Sequence, residues 1–157
     1  MATETKLRQL ADKGCPVYYF YSSERYLVRQ AVAAATRILT ADSDEDATIL
    51  DGAAPEIEQL IMAAGTISFF GTRRVVVLPE IDPAAYSDKD LEELNSTLSS
   101  LENAVVVLGS VFELERSKLK TGKRAQKLIA QCKALGYTEE LAKPKPFELK
   151  MMMIDRA

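Results

Sequence analysis

Histidine is absent from this chain of 157 residues, and its absence removes several kinds of chemistry. Without an imidazole there is no Ser-His-Asp or Cys-His catalytic arrangement, and no zinc site with a histidine ligand. The two cysteines, Cys15 and Cys132, are too few for a four-thiolate metal site and form no C-x-x-C pair. We predict that both are reduced, buried thiols. Any catalysis would therefore have to rest on carboxylates, lysines or a bound nucleotide.

Long apolar runs and an excess of positive charge are missing as well. No run approaches the ~20 residues that a membrane-spanning helix needs, and the segment 1–13 has no apolar centre of the signal-peptide kind. The net charge of −3 argues against a domain that binds nucleic acid electrostatically as a whole. The composition is that of a globular protein. We therefore expect a cytoplasmic protein with no membrane partner.

Continuous apolar runs alternate with amphipathic segments along the chain. The runs predict strands at 17–21, 47–50, 74–78, 104–108 and, more weakly, 137–141. The amphipathic segments predict helices at 3–13, 24–39, 56–64, 88–101 and 118–135. Ser22 or Ser23 is expected to cap the second helix, and Ile57, Leu60 and Ile61 to share the buried side of the third. This alternation predicts an α/β fold with a parallel sheet and helices on both faces.

The chain changes character after residue 143. Pro144 and Pro146 interrupt the pattern, and a further helical segment begins at Phe147. Its apolar residues 151–154 have little sequence left to pack against. We therefore expect one domain over residues 1–143, the start of a linker or helical domain over 144–157, and a longer parent protein.

An α/β order of this kind invites a search for a phosphate-binding loop. The connection after the first strand is Ser22-Ser23-Glu24-Arg25, which lacks the glycines and the lysine of a P-loop. The pair Gly122-Lys123 lies within a helix-like segment and lacks the first glycine of that motif. Glu80 follows the third strand, where ATPases often hold a metal, but it stands there alone. No cofactor or metal is predicted.

A basic run begins just before the predicted last helix and continues into it. It comprises Arg116, Lys118, Lys120, Lys123, Arg124 and Lys127. Such a run is typical of a solvated helix face. A contact with phosphate or with an acidic partner subunit is the alternative.

The segment 66–71, Thr-Ile-Ser-Phe-Phe-Gly, places two adjacent aromatic residues where a connecting turn should be polar. Phe69 and Phe70 could cap the core beneath the turn, since aromatic residues dominate cores. They could also face solvent as part of a partner surface. Periodicity alone does not decide between the two interpretations.

Four segments, taken together, resemble the delta subunit of the bacterial DNA polymerase III clamp loader. They are 18–27 (YYFYSSERYL), 50–52 (LDG) leading into 68–77 (SFFGTRRVVV), 118–136, and 143–150 (KPKPFELK). The second is the most specific, and the resemblance covers about 17–154. Two positions depart from the family pattern: Ser22 stands where the family usually has glycine, and Met152 stands near a position that is often tryptophan.

The resemblance implies an AAA+-like domain that binds no ATP and is not itself an enzyme. It implies that Ile67, Phe69 and Phe70 form an apolar plug that grips the sliding clamp (beta) and helps to open its ring. The implied partners are that clamp, the other loader subunits (gamma/tau and delta prime) and, through the complex, DNA. Lys118, Lys120, Lys123 and Arg124 are weaker candidates for a subunit or DNA contact. The alternatives are a nucleotide hydrolase with a degenerate P-loop and a general α/β docking domain.

Overall fold

A computed structural model describes residues 4–41, 46–65 and 73–142 of the chain. Its helices are α1 (Glu4–Asp12), α2 (Arg25–Thr40), α3 (Ile57–Gly65), α4 (Asp88–Ser99) and α5 (Gly122–Leu135), with a 3-10 turn at Pro83–Ala85. Its strands are β1 (Val17–Ser22), β2 (Thr48–Ile49), β3 (Arg74–Leu78), β4 (Ala104–Val111), β5 (Leu114–Glu115), β6 (Lys118–Leu119) and β7 (Tyr137–Glu140). The predicted segment 144–157 lies outside the described residues.

Five strands form one sheet in the order β2-β3-β4-β1-β7, and every neighbouring pair is parallel. The predicted parallel sheet is thus confirmed. Strands β5 and β6 form a separate antiparallel hairpin, in which Glu115 lies opposite Lys118. Because all five strands of the main sheet run the same way, their carboxyl ends form one edge and their amino ends the other.

The sheet is covered on both faces, as its apolar strands require. Alternate residues of a strand point to opposite faces, so Tyr19 packs with one set of helices while Tyr18 and Phe20 pack with the other. Helices α3, α4 and α5 cover the first face, and α1 and α2 cover the second. Tyr18 and Tyr19 are therefore part of the core on opposite faces of the sheet.

Three predicted details are wrong. The N-cap position of α2 is Glu24 rather than Ser22 or Ser23, because β1 continues through Ser22, and the Glu24 side chain makes no capping hydrogen bond. Ile61 lies on the exposed side of α3, although Ile57 and Leu60 are buried. The last helix begins at Gly122, so the segment 118–121 precedes it.

The two cysteines are free thiols, with Cys132 buried and Cys15 partly buried. Burial raises the pKa of the Cys132 thiol to about 12, so it stays protonated at neutral pH. Among the described residues, no helix is long and apolar enough to cross a membrane.

Candidate functional site

The connection from β1 to α2 occupies the place of a phosphate-binding loop, and one of its amides is engaged within the connection itself. Ser22 is fully buried, and its Oγ accepts a hydrogen bond from the Glu24 amide at 3.1 Å. A phosphate loop needs such amides pointing outward at the ligand. Glu24 also places a carboxylate at the start of α2, where a phosphate would have to approach.

An ion pair spans the carboxyl edge of the sheet beside that connection. Arg25 Nε lies 2.7 Å from Glu80 Oε1, although the two residues are 55 positions apart. Glu80 raises the pKa of Arg25 through this hydrogen bond and through its charge. The side chains remain about half exposed, so the pair contributes little to stability. It nevertheless engages Glu80, the one carboxylate that the sequence placed where a metal could bind.

A second acidic group of this edge, Asp82, is also engaged. Asp82 Oδ1 accepts from the Ala84 amide at 3.0 Å and so caps the 3-10 turn. A cleft of about 570 Å³ lies here, and its lining mixes acidic groups such as Glu113 with Lys120. Within the described residues, no group of three or more His, Cys, Asp or Glu side chains could hold a metal ion.

A buried chain of hydrogen bonds lies next to the carboxyl edge of the sheet. Ser110 Oγ donates to the Ile81 carbonyl at 2.8 Å and lies 2.6 Å from the Tyr19 hydroxyl. Because Ser110 has a single hydroxyl hydrogen, Tyr19 must be the donor to Ser110. Burial raises the pKa of Tyr19 well above its usual range. The hydrogen bonds tie β1 and β4 to Ile81, the residue that follows Glu80.

The basic residues do not form one helix face. Lys118 lies in β6, Lys120 lies between the hairpin and α5, and only Lys123 and Arg124 begin that helix. The segment leaves the helix because Arg116 and Ser117 adopt left-handed backbone conformations, with φ of 52° and 69°, that turn the chain into a hairpin. The Gly122-Lys123 pair consequently opens α5 instead of lying inside it.

Arg124 has a structural partner. Its Nε donates to Asp88 Oδ1 at 3.0 Å, which joins the first turn of α5 to the first turn of α4. A second nitrogen of the same guanidinium donates to the Ala84 carbonyl at 3.4 Å. The exposed lysines Lys118, Lys120 and Lys123 are thus the members of the predicted set that best suit an external contact.

The predicted clamp-binding residues Ile67, Phe69 and Phe70 lie outside the described residues. Their surroundings are described: α3 ends at Gly65 and β3 begins at Arg74. The Arg74 amide donates to the Asn103 carbonyl at 2.8 Å, just before β4. The connection between α3 and β3 therefore reaches the sheet at its amino edge, opposite the Arg25–Glu80 pair.

An apolar surface that was not predicted lies beside this connection. Ile61 is 52% exposed and Met62 is 72% exposed, both in the second half of α3. A groove of about 540 Å³ runs from Ile61 and Gly65 to the end of α4. The signal was present in the sequence, because residues 60–64 are all apolar and a helix cannot bury every side of such a segment against one sheet.

Neither a protein-family model nor a curated protein sequence matches this chain. Among solved structures, it is similar to the crystal structure of a DNA polymerase III gamma subunit-related protein of Thermotoga maritima, with a TM-score of 0.64. The match covers 93% of this chain and 48% of the other at 14% sequence identity, so this chain spans about half the length of that structure. At that identity the similarity is one of fold: the chain shares the parallel, helix-covered sheet found in that replication-related protein.

Proposed function

We propose that this chain is the sheet-containing domain of a clamp-loader subunit of the delta type, which binds a sliding clamp and helps to open its ring. The observation that carries this proposal is the fold shared, over almost the whole chain, with a DNA polymerase III gamma subunit-related protein. The delta-like segments 18–27 and 68–77 narrow the proposal to one kind of subunit.

We propose that the domain takes no part in nucleotide hydrolysis. The support is local: the Glu24 amide is used by Ser22 Oγ, and Glu80 is paired with Arg25. A carboxylate at the start of α2 would repel phosphate. ATP-dependent control would then belong to other subunits of the complex, the gamma/tau and delta prime partners, which expose or hide the clamp-binding surface.

The proposed contact with the clamp consists of Ile67, Phe69 and Phe70. A phenylalanine side chain buries about 150–250 Å² when it enters a pocket, and a few apolar anchors can dominate the energy of an interface. Ring opening then needs no chemistry. It requires that the domain bind the open or distorted ring more tightly than the closed ring.

The same proposal assigns the protein to the cytoplasm, with DNA reached through the assembled complex. Lys118, Lys120 and Lys123 are proposed as a minor contact for a neighbouring subunit or for DNA phosphates, since all three are exposed. That contact is separate from the clamp surface, because these lysines lie beyond the carboxyl edge of the sheet.

Binding to the sliding clamp of the same organism, measured by surface plasmon resonance, tests the proposal. The wild-type chain should bind, and the combined substitution F69A/F70A should abolish binding, at about 2 kcal/mol or more for each ring that is a hot spot. Charge reversal at two of the lysines, K118E/K123E, is the control and should leave clamp binding unchanged. Circular dichroism should show that F69A/F70A melts like the wild type.

Two outcomes would contradict the plug. If F69A/F70A binds the clamp as well as the wild type does, these rings are not the contact. If F69A/F70A fails to fold, the rings belong to the core and the alternative interpretation of residues 66–71 is correct. A wild-type chain that does not bind the clamp at all would contradict the proposed function itself.

A further inference from the structure

A second groove lies at the carboxyl edge of the sheet, between the β5–β6 hairpin and the ends of β1 and β7. Its volume is about 550 Å³. Leu114 and Leu119, which are paired across the two strands of the hairpin, form one wall. Tyr21 of β1 and Ile129 of α5 add further apolar surface. We call it the hairpin groove.

The leucines of the hairpin are not covered by the core. Leu114 is 57% exposed, and within the described part of the chain neither leucine packs against the two core clusters of the sheet. Exposed apolar side chains next to each other often mark a surface that another segment covers. The strained turn at Arg116 and Ser117 holds the two strands together, and such strain persists where a particular backbone shape is required.

The described part of the chain ends in this groove. Leu141 is buried, and its amide donates to the Tyr21 carbonyl at 2.8 Å, which fixes the backbone just beyond β7. Ala142, the next residue, lines the hairpin groove. Residue 143 is therefore bonded directly to a residue of the groove, and the residues after it start from this surface.

The chemistry of those residues matches the groove. Glu24 and Glu140 contribute carboxylates to its lining, together with the ammonium group of Lys118. The segment 143–150, Lys-Pro-Lys-Pro-Phe-Glu-Leu-Lys, carries three lysines and one glutamate, so its net charge is opposite to that of the lining. Its prolines favour an extended backbone in the residues before them. At about 3.1 Å per residue, Phe147 can reach a point roughly 15 Å from Ala142.

We propose that the segment 143–147 of this chain binds in the hairpin groove. Phe147 packs against Leu114 and Leu119, and the first two lysines of the segment lie beside the carboxylates of the lining. The bound segment covers Ser23 and Glu24, in the connection that takes the place of a phosphate-binding loop. It also fixes the direction in which the chain continues after β7. This inference goes beyond the proposed function and does not depend on a clamp.

Disulfide trapping in the chain of 157 residues tests the proposal. S117C places a thiol on the lining of the groove, and E148C places one next to Phe147 while the ring stays intact. Under mild oxidation with copper phenanthroline, S117C/E148C should form a disulfide within one chain at least tenfold faster than S100C/E148C. Ser100 is also an exposed serine, but it follows α4 at the amino edge of the sheet. Mass spectrometry of tryptic peptides separates this bond from any bond of the native cysteines.

The role of the ring is tested in the same background, because closeness along the chain by itself favours the S117C/E148C bond. F147S should slow the formation of that bond at least tenfold, since it removes the apolar anchor. L114S, which removes part of the opposing wall, should slow it as well. M152S is the matched control: it removes an apolar side chain of the same stretch outside the proposed segment, and it should leave the rate unchanged.

Several results would overturn the proposal. If F147S leaves the rate of S117C/E148C unchanged, the segment passes near the groove without binding in it. Equal slowing by M152S and F147S would mean that the effect does not depend on the anchor. A bond that joins two chains, detected by mixing isotope-labelled and unlabelled protein, would place a second copy in the groove. None of these results bears on clamp binding, so the proposed function and this inference fail separately.

Discussion

The backbone of Gly109 in β4 passes too close to its neighbours to carry a side chain. A Cβ at this position would lie 2.4 Å from the Pro79 carbonyl oxygen and 2.7 Å from Val28 Cγ1. The Pro79 segment is held in place, because the Ile81 amide donates to the Gly109 carbonyl at 2.8 Å. A methyl group would therefore have to displace backbone and not only the end of a flexible side chain.

The substitution G109A should lower the free energy of unfolding by about 1–3 kcal/mol, the usual cost of overpacking a core. Urea denaturation followed by circular dichroism measures it. G65A is the matched control: nothing lies within 4 Å of its Cβ position at the end of α3, and alanine is favoured over glycine in helices by up to about 1 kcal/mol. Equal stability of G109A and wild type would show that the segment after β3 can shift.

At the scale of elements, the β5–β6 hairpin carries local strain. Its turn residues Arg116 and Ser117 both have positive φ, a conformation that asparagine and glycine adopt far more readily. The double substitution R116N/S117G should raise the free energy of unfolding by about 1 kcal/mol, since the type I′ turn would be relieved of that strain. Thermal and urea melts of the two proteins would show it.

The two residues on either side of the turn, Glu115 and Lys118, provide the control for that prediction. E115N/K118G changes residues of the hairpin that have no positive φ, so it should not stabilise the protein. R116N/S117G could instead be less stable than the wild type. In that case the Arg116 or Ser117 side chain makes a contact that stabilises the protein by more free energy than the backbone strain costs.

The hairpin also shows where sequence patterns fail. The strands β1, β3 and β4 could be predicted because continuous apolar runs are typical of strands covered on both faces. The start of α5 could not, because Lys118 and Leu119 fit the helical period that continues from Gly122 onward. Only the backbone conformations at residues 116 and 117 separate the two elements, and neither residue is a glycine, asparagine or aspartate, the types that signal a turn with two positive φ angles.

The candidate site, like the secondary structure, could be predicted only in part from the sequence. The empty phosphate loop followed from residues 22–25, which lack glycine. The Arg25–Glu80 pair could not be predicted, because it joins the first residue of α2 to the turn after β3 and depends on the order of the sheet. The exposure of Ile61 was not predicted, because the helical period also allows this residue to lie at the margin of the buried face. Packing against α4 decides which side of α3 faces solvent.

At the scale of the whole molecule, the two edges of the sheet differ in chemistry. The carboxyl edge, where open α/β sheets usually bind ligands, carries the Arg25–Glu80 pair, Asp82 and Lys120. The amino edge carries Ile61, Met62 and the groove next to the connection that leads to β3. An apolar surface suits a protein partner at the amino edge. A nucleotide at the carboxyl edge would meet the carboxylates of Glu80, Asp82 and Glu113.

Calorimetric titration with ATP and magnesium tests this asymmetry on the intact chain. We expect no saturable binding in the micromolar range, because the Glu24 amide is committed to Ser22 Oγ and the Glu80 carboxylate would face the phosphates. E80Q removes that negative charge while it keeps the size of the side chain. It should bind no ATP either, since the missing element is a cradle of amides and not only a favourable charge. Saturable binding by the wild type would favour the nucleotide-hydrolase alternative, whereas binding by E80Q alone would show that the carboxylate by itself keeps a phosphate site closed.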